Sequence, residues 1–287
     1  MTSPIHLPSL AALADSYDAI FCDIWGVLHD GVHVDQAAVA ALSDCRARGI
    51  TVILLSNVPK PNAPIYGQLD RLGASRTAYD AIVTSGDAIR VELAARSPGP
   101  MYRIGPPEFD ADLWQGLNLA EAPLDQAAFV AVSGLDHPAR EHPDDYLPRL
   151  ATAKARNLEL LCANPDRVVR VGKDLIWCAG ALADRYTAMG GRVVMAGKPC
   201  PPIYAMARQA LSDLRGAPVP DHRILAIGDG PATDVQGANA EGLDCLFVAS
   251  GINDAALSAG GTLDLEKVNA LLLAQGLRAK FATRSLA

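Results

Sequence analysis

Short, almost wholly apolar runs alternate along the chain with segments whose apolar residues recur every three or four positions. Residues 17–23, 50–55, 223–227 and 244–248 are of the first kind. Runs of that length and character predict parallel strands covered on both faces. Between the first two, Asp35 stands at a helix-cap position, followed by Val39, Leu42 and Cys45 on one face and closed by Gly49. A helix is predicted from about Asp234 to Glu241, between the last two. This alternation is the grammar of an α/β fold with a doubly wound parallel sheet.

The middle of the chain keeps that grammar with a more broken rhythm. Strands are predicted over Met101–Ile104, 128–133 and 158–162, and helices around 108–115, 144–156 and 178–189. A Pro- and Gly-rich stretch near 97–107 and the Gly-Gly at 190–191 flank this region. The expected organisation is an α/β unit over 85–192 inserted into a core built from 1–84 and 193–287. At 287 residues the chain is long enough for both. No internal repeat or low-complexity segment stands out.

Composition narrows the class. Half the residues are hydrophobic and a fifth are charged, a globular balance. A net charge of −7 argues against nucleic acid as a partner held by bulk electrostatics. The basic tail Arg278, Lys280, Arg284 is expected to be a solvated end. The six cysteines form no CxxC pair, and Cys22, Cys162 and Cys245 lie in apolar runs, so neither a disulfide framework nor a zinc site is expected. The N-terminal stretch lacks a basic region followed by a long apolar core, and no apolar run reaches the roughly 18 residues that span a bilayer. A cytoplasmic protein without a membrane partner is expected.

In open parallel sheets, ligands sit outside the carboxyl ends of the strands. Four polar segments are expected at such ends: Asp23, Ser56-Asn57, Lys198 after residues 192–196, and Gly228-Asp229. Any one could be a helix cap or a turn. Together they suit phosphoryl transfer. A carboxylate can attack phosphorus, and the phosphoryl oxygens then need a cation, a lysine and hydroxyl or backbone N–H donors. Asp23 and Asp229 could hold Mg²⁺, Lys198 supplies a point charge, and Ser56 a hydroxyl.

The segments DIWGVL, LLSN, GKP and GDGPATD resemble, in order and placement, the four motifs of the haloacid dehalogenase-like superfamily over nearly the whole chain. The insertion, with Ala163-Asn-Pro-Asp166 and Cys178-Ala-Gly-Ala181, resembles the large α/β cap of its class IIA branch. That branch includes phosphatases similar to p-nitrophenyl, phosphoglycolate and pyridoxal phosphatases. The resemblance implies an Mg²⁺-dependent hydrolase of a small phosphorylated metabolite, working through an aspartyl-phosphate and associating as a homodimer through its caps. It implies Asp23 as nucleophile and metal ligand, Ser56 on the phosphoryl group, and Lys198 steadying both. Asp229 would complete the metal shell, with Asp234 as a direct or water-mediated supporter. Asn57 would orient the second-motif turn. Asn164 and Asp166 fall where cap meets core, as a structural turn or as substrate contacts.

One position departs from the pattern. Phosphatases of this family usually carry a second aspartate two places after the nucleophile, which protonates the leaving alcohol and later activates water. Trp25 stands there, and an indole N–H is no acid near neutral pH. Such catalysis is typically worth about 10²–10⁴ in rate. The family's metal ligand from this position is the backbone carbonyl, which Trp25 retains. Three readings follow: a slow phosphatase favouring good leaving groups, a substitute acid in His29 or Asp30, or a metal- and phosphate-ester-binding module with catalysis lost.

Other readings fail on spacing. Gly191 to Lys198 is one residue too long for a P-loop, and Pro199 replaces its Ser or Thr. Thr233 breaks a GxGxxG reading, and Ser56-Asn-Val-Pro is no nucleophile elbow. The six histidines show no metal-ligand spacing, and Trp114 and Trp177 are expected to be packing residues.

Overall fold

A computed structural model describes residues 3–13, 15–172, 174–250, 257–259 and 262–286. Met1, Thr2 and Ala14 of the N-terminal stretch considered above lie outside them. The strands are β1 (Ile5–His6), β2 (Ala19–Asp23), β3 (Thr51–Ser56), β4 (Ala81–Thr84), β5 (Met101–Ile104), β6 (Phe129–Val132), β7 (Glu159–Cys162) and β8 (Val168–Val171). They continue with β9 (Asp174–Trp177), β10 (Arg192–Met195), β11 (Ile224–Gly228), β12 (Asp244–Val248), β13 (Ser258–Ala259), β14 (Thr262–Leu263) and β15 (Phe281–Thr283).

Seven strands form one parallel sheet in the order β1-β15-β12-β11-β2-β3-β4. From β2 the chain winds one way through β3 and β4, and after the insertion it winds the other way from β11. The strand order therefore reverses between β2 and β11, which opens a crevice at their carboxyl ends.

The near-continuous apolar runs are explained by burial on both faces. Ala19 and Phe21 of β2, with Ile53 and Leu55 of β3, pack into one cluster with Tyr204, Ala207 and Leu211 of helix α7 (Pro201–Arg215). Ile20, Cys22, Val52 and Leu54 point the other way, onto Val39, Leu42 and Cys45 of α1 (Gln36–Ala47) and Ile65 and Leu69 of α2 (Asn62–Leu72). Asp35 caps α1 by accepting hydrogen bonds from the N–H groups of Ala37 and Ala38, and Gly49 follows with φ 88°. Among the described residues all six cysteines are free.

The insertion carries its own parallel sheet, ordered β10-β7-β6-β5. Val130 and Val132 face a separate core with Tyr146, Leu150, Leu182 and Tyr186, whereas Phe129 and Ala131 join the cluster that continues into the main sheet's core. One face of the cap sheet thus packs on the core by shared apolar burial. Helix α3 (Ser85–Ala94) leads into the insertion, and α4 (Pro107–Trp114), α5 (Leu147–Ala155) and α6 (Ala179–Ala188) fall where the pattern places them.

Two expectations change. Strand β10 pairs with β7, so the cap sheet extends through Met195, beyond the expected boundary at 192, and Lys198 follows a cap strand rather than a core strand. The half-buried Val193 and Val194 gain ladder partners in β7, which fixes the strand there. The helix expected from Asp234 begins later: a wide turn over Pro231–Val235 precedes a short helix at Gln236–Ala240. The Asp234 side chain accepts the Gly230 N–H at 3.0 Å, turning this carboxylate back toward the crevice.

Candidate active site

Strand β2 ends on Asp23, 8% exposed, and β3 ends on Ser56, 7% exposed. After β11 the chain presents Asp229, and the wide turn presents Asp234. One carboxylate oxygen each from Asp23, Asp229 and Asp234 lies within 4.8 Å of the others. Residues more than 200 positions apart therefore converge on one point. Gly26 makes room for this: with φ 85°, a Cβ there would stand 2.3 Å from Asp229 Oδ2.

Lys198 is inserted into the cluster from the cap's return link. Its Nζ lies 2.7 Å from Asp23 Oδ1 and 2.7 Å from Asp234 Oδ1, and donates to the Leu55 carbonyl at 3.1 Å. Burial opposes its charge, but the two carboxylates outweigh burial and hold the ammonium protonated. Burial pushes the Asp23 carboxyl up and Asp234 reinforces this, while Lys198 pulls it down. One ammonium thus stands among three clustered carboxylates in a largely buried site. A hard divalent cation suits such an all-oxygen set.

Asn57 ties three segments together. Its Nδ2 donates to Asp166 Oδ1 at 2.9 Å and to the Lys198 carbonyl at 3.0 Å, and its Oδ1 accepts the Lys198 N–H at 2.8 Å. It positions Lys198 and links the core to the cap. Asp166 is held up by burial, with the Asn57 hydrogen bond opposing. Asn164 Oδ1 accepts the Asp166 N–H at 3.0 Å, so the Asn-Pro-Asp segment is a self-bonded turn that also lines the cavity. Ser56 Oγ accepts the Val58 N–H at 3.2 Å.

The crevice opens into a cavity of about 740 Å³ between core and cap, lined by Asp23, Ser56, Asp229, Trp25 and the hairpin of β8 and β9. Trp25 takes part in closing it. Its indole Nε1 donates to the Arg170 carbonyl of the hairpin at 2.8 Å, and its ring meets His29 edge-on at 4.8 Å. Gly31 leaves space for that ring, since a Cβ would lie 2.6 Å from Cζ2. His29 is buried, which lowers its pKa to about 4, and its Nδ1 accepts the Gly31 N–H at 3.0 Å. Asp30 Oδ1 accepts from Val32 and His33 N–H groups at 2.9 and 2.7 Å, and those bonds hold its carboxyl below the ordinary range. Both residues serve the turn, and neither is poised as an acid.

The sequence did not point to the hairpin's part in this site, nor to Ser133, a lining residue whose hydroxyl donates to the buried Asp110 Oδ2 at 2.5 Å. Ser133 follows β6 directly, so strand-end placement in the cap was the available signal.

Crossed windings around a carboxylate cluster, with a lysine against the first acid, define a divalent-metal hydrolase site. Comparison with known proteins agrees. Residues 20–115 match the haloacid dehalogenase-like hydrolase family, and residues 195–268 match a second family described as HAD-hydrolase-like. A solved haloacid dehalogenase-like hydrolase from Brucella suis is 41% identical, with 98% of this chain and 100% of that one covered and a TM-score of 0.87. The chain belongs to the haloacid dehalogenase-like hydrolase family. It is also similar to the D-glycerol 3-phosphate phosphatase of Mycobacterium tuberculosis, 27% identical over 248 residues, 86% of this chain and 67% of that protein. A solved glycerol phosphate phosphatase from that organism, in complex with magnesium, is 25% identical, with 90% of this chain and 78% of that one covered and a TM-score of 0.62.

Proposed function

We propose that this protein is an Mg²⁺-dependent phosphatase of small phosphomonoesters that works through an aspartyl-phosphate. The observation that carries the reading is the Asp23 carboxylate, 2.7 Å from a buried ammonium and within 4.8 Å of two further carboxylates. Asp23 Oδ1 is engaged by Lys198 and by the Ile24 N–H at 2.8 Å, which would leave Oδ2 for the ester. In this reading Oδ2 attacks phosphorus and the alcohol leaves, then water cleaves the acyl phosphate and restores Asp23.

Asp23, Asp229 and the Trp25 carbonyl would hold the metal. Asp234, engaged by Lys198 and Gly230, would hold the lysine and support the shell. When bound, Mg²⁺ neutralises the phosphoryl oxygens and keeps Asp23 ionised. Lys198 adds a fixed positive charge, and Ser56 contributes its hydroxyl and backbone N–H. Asn164 and Asp166 shape the cap side of the phosphate pocket. With tryptophan at the acid's position, turnover depends on how readily the leaving group departs unprotonated. A cytoplasmic homodimer joined through the caps belongs to the same reading. Among the described residues, no helix is long and apolar enough to cross a membrane.

The test is phosphate release from p-nitrophenyl phosphate with Mg²⁺ or with EDTA, beside Asp23→Asn. Activity is expected only with Mg²⁺ and intact Asp23; release that persists in Asp23→Asn overturns the nucleophile. The indole N–H already spent on Arg170 favours a second reading, a phosphate-ester-binding module. Metal and ester binding without turnover of any ester would support it.

A further inference from the structure

We propose that the natural substrate is an aryl phosphate, the phosphate ester of a phenol-like hydroxyl on a flat apolar ring. The proposal rests on the phosphatase reading above and names the substrate class of that same site. Two independent observations point to it, one in the cavity's walls and one at the leaving-group oxygen.

Away from the carboxylate cluster, the lining is supplied by Val34, Val58, Phe109, Val169, Ile176 and Trp177 from core loops, cap helix and hairpin. Several polar side chains of the lining are already engaged, while those of His33 and Arg170 also face it. Trp25 donates to the Arg170 carbonyl, Ser133 to Asp110, and Asp166 accepts from Asn57. Asp30 and Asp35 accept backbone N–H groups of their own turns. Arg167 is paired with Asp184 at 2.6 Å. Against the valine, phenylalanine and isoleucine part of this wall a polyol's hydroxyls would lose their water partners. An aromatic ring would gain by the same exchange.

The second observation concerns protonation. Trp25 has no acidic proton, His29 is buried with Nδ1 accepting the Gly31 N–H, and Asp30 is turned into its own loop. The leaving oxygen must therefore depart as an anion. A phenolate, conjugate to an acid of pKa about 10 like a tyrosine side chain, does so far more readily than an alkoxide. The step balances. The bond from Asp23 Oδ2 to phosphorus forms as the phosphorus–aryl oxygen bond breaks, the phenolate keeps the electron pair, and solvent protonates it. Water then releases inorganic phosphate and regenerates Asp23.

Initial rates are measured with Mg²⁺ for phenyl, benzyl and glycerol 3-phosphates. Benzyl phosphate has the ring but leaves as an alkoxide, so it separates fit from leaving-group chemistry. Phenyl phosphate should exceed glycerol 3-phosphate in kcat/KM by at least a hundredfold. Benzyl phosphate should share its KM within a few-fold and lose at least tenfold in kcat. Val169→Asp should shrink the phenyl-over-glycerol ratio at least fivefold. Glycerol 3-phosphate matching phenyl phosphate, or benzyl matching phenyl in kcat, overturns the proposal. If no ester is hydrolysed, the phosphatase reading falls, and the pocket is judged by calorimetry of the Mg²⁺-loaded protein. Phenylphosphonate binding at least tenfold tighter than methylphosphonate upholds the aryl site, and equal binding rejects it.

Discussion

At position 25, where the family resemblance implies a proton-transferring aspartate, a tryptophan fastens the cap. The Trp25 N–H to Arg170 carbonyl bond spans core and hairpin, and one such bond contributes about 0.5–1.5 kcal/mol. Trp25→Phe keeps the ring's packing and removes the donor. Faster hydrogen exchange in strands β8 and β9 is therefore expected, with little change in global stability; unchanged exchange would show that the bond does not hold the hairpin. Trp25→Asp restores a carboxyl at the family's acid position, and turnover of an alkyl phosphate should rise at least tenfold. No rise, in a folded variant that still binds Mg²⁺, would count against a missing acid. Lys198 behaves differently because it is buried between two carboxylates. In EDTA, Lys198→Met should cost about 3–5 kcal/mol of stability, read by urea denaturation. The meeting of Asp23, Ser56, Lys198 and Asp229 at one crevice was legible because each residue type at a strand end has few other uses in combination. The Trp25 hydrogen bond was not legible, since its acceptor is a backbone carbonyl 145 residues away with no side-chain signature.

At the scale of elements, the loop between β2 and α1 shows what sequence pattern misses. It is folded by its own backbone: Gly26 N–H to the His29 carbonyl at 2.9 Å, Leu28 N–H to Ile24 at 2.8 Å, and Asp35 N–H to Leu28 at 2.8 Å. His29 is enclosed by this fold and by the Trp25 ring, which carries a pH consequence. Burial lowers its pKa from 6.5 to about 4, so its contribution to stability is present above 6.5 and is lost as pH falls toward 4. The loss is about 3 kcal/mol at an effect of 1.4 kcal/mol per unit. His29→Gln should abolish that part of the acid sensitivity while accepting the Gly31 N–H, as urea midpoints between pH 7 and pH 4 will show; an unchanged slope would place the titration elsewhere. The core strands β2, β3, β11 and β12 and the cap strands β5, β6 and β7 were legible because apolar runs covered on two faces have few alternatives, whereas β1, β4 and β15 were not. Strand β10 was legible as a strand but not in its sheet, because Val193 and Val194 suit either ladder. The ribbon β8–β9 escaped notice because its residues are only partly buried and alternate weakly.

Across the whole molecule, the two windings of the sheet are joined by the ladder between β2 and β11 and meet at its carboxyl end in a cluster of like charges. Asp23 arrives on one winding and Asp229 and Asp234 on the other, so three carboxylates face each other across the switch between β2 and β11. A bound cation that favours the folded state stabilises it by about 2.7 kcal/mol at a hundred times its dissociation constant. For a chain of this size that corresponds to a rise in Tm of about 5 °C. Asp229→Asn supplies the control, because it removes one negative charge as well as a ligand. Without metal the variant should be at least as stable as the parent, since like-charge repulsion is relieved. With saturating Mg²⁺ the order should reverse, because only the parent gains fully. Differential scanning calorimetry in EDTA and in Mg²⁺ reads both arms. A variant less stable than the parent by the same margin in both would mean that Asp229 acts through packing rather than through the metal.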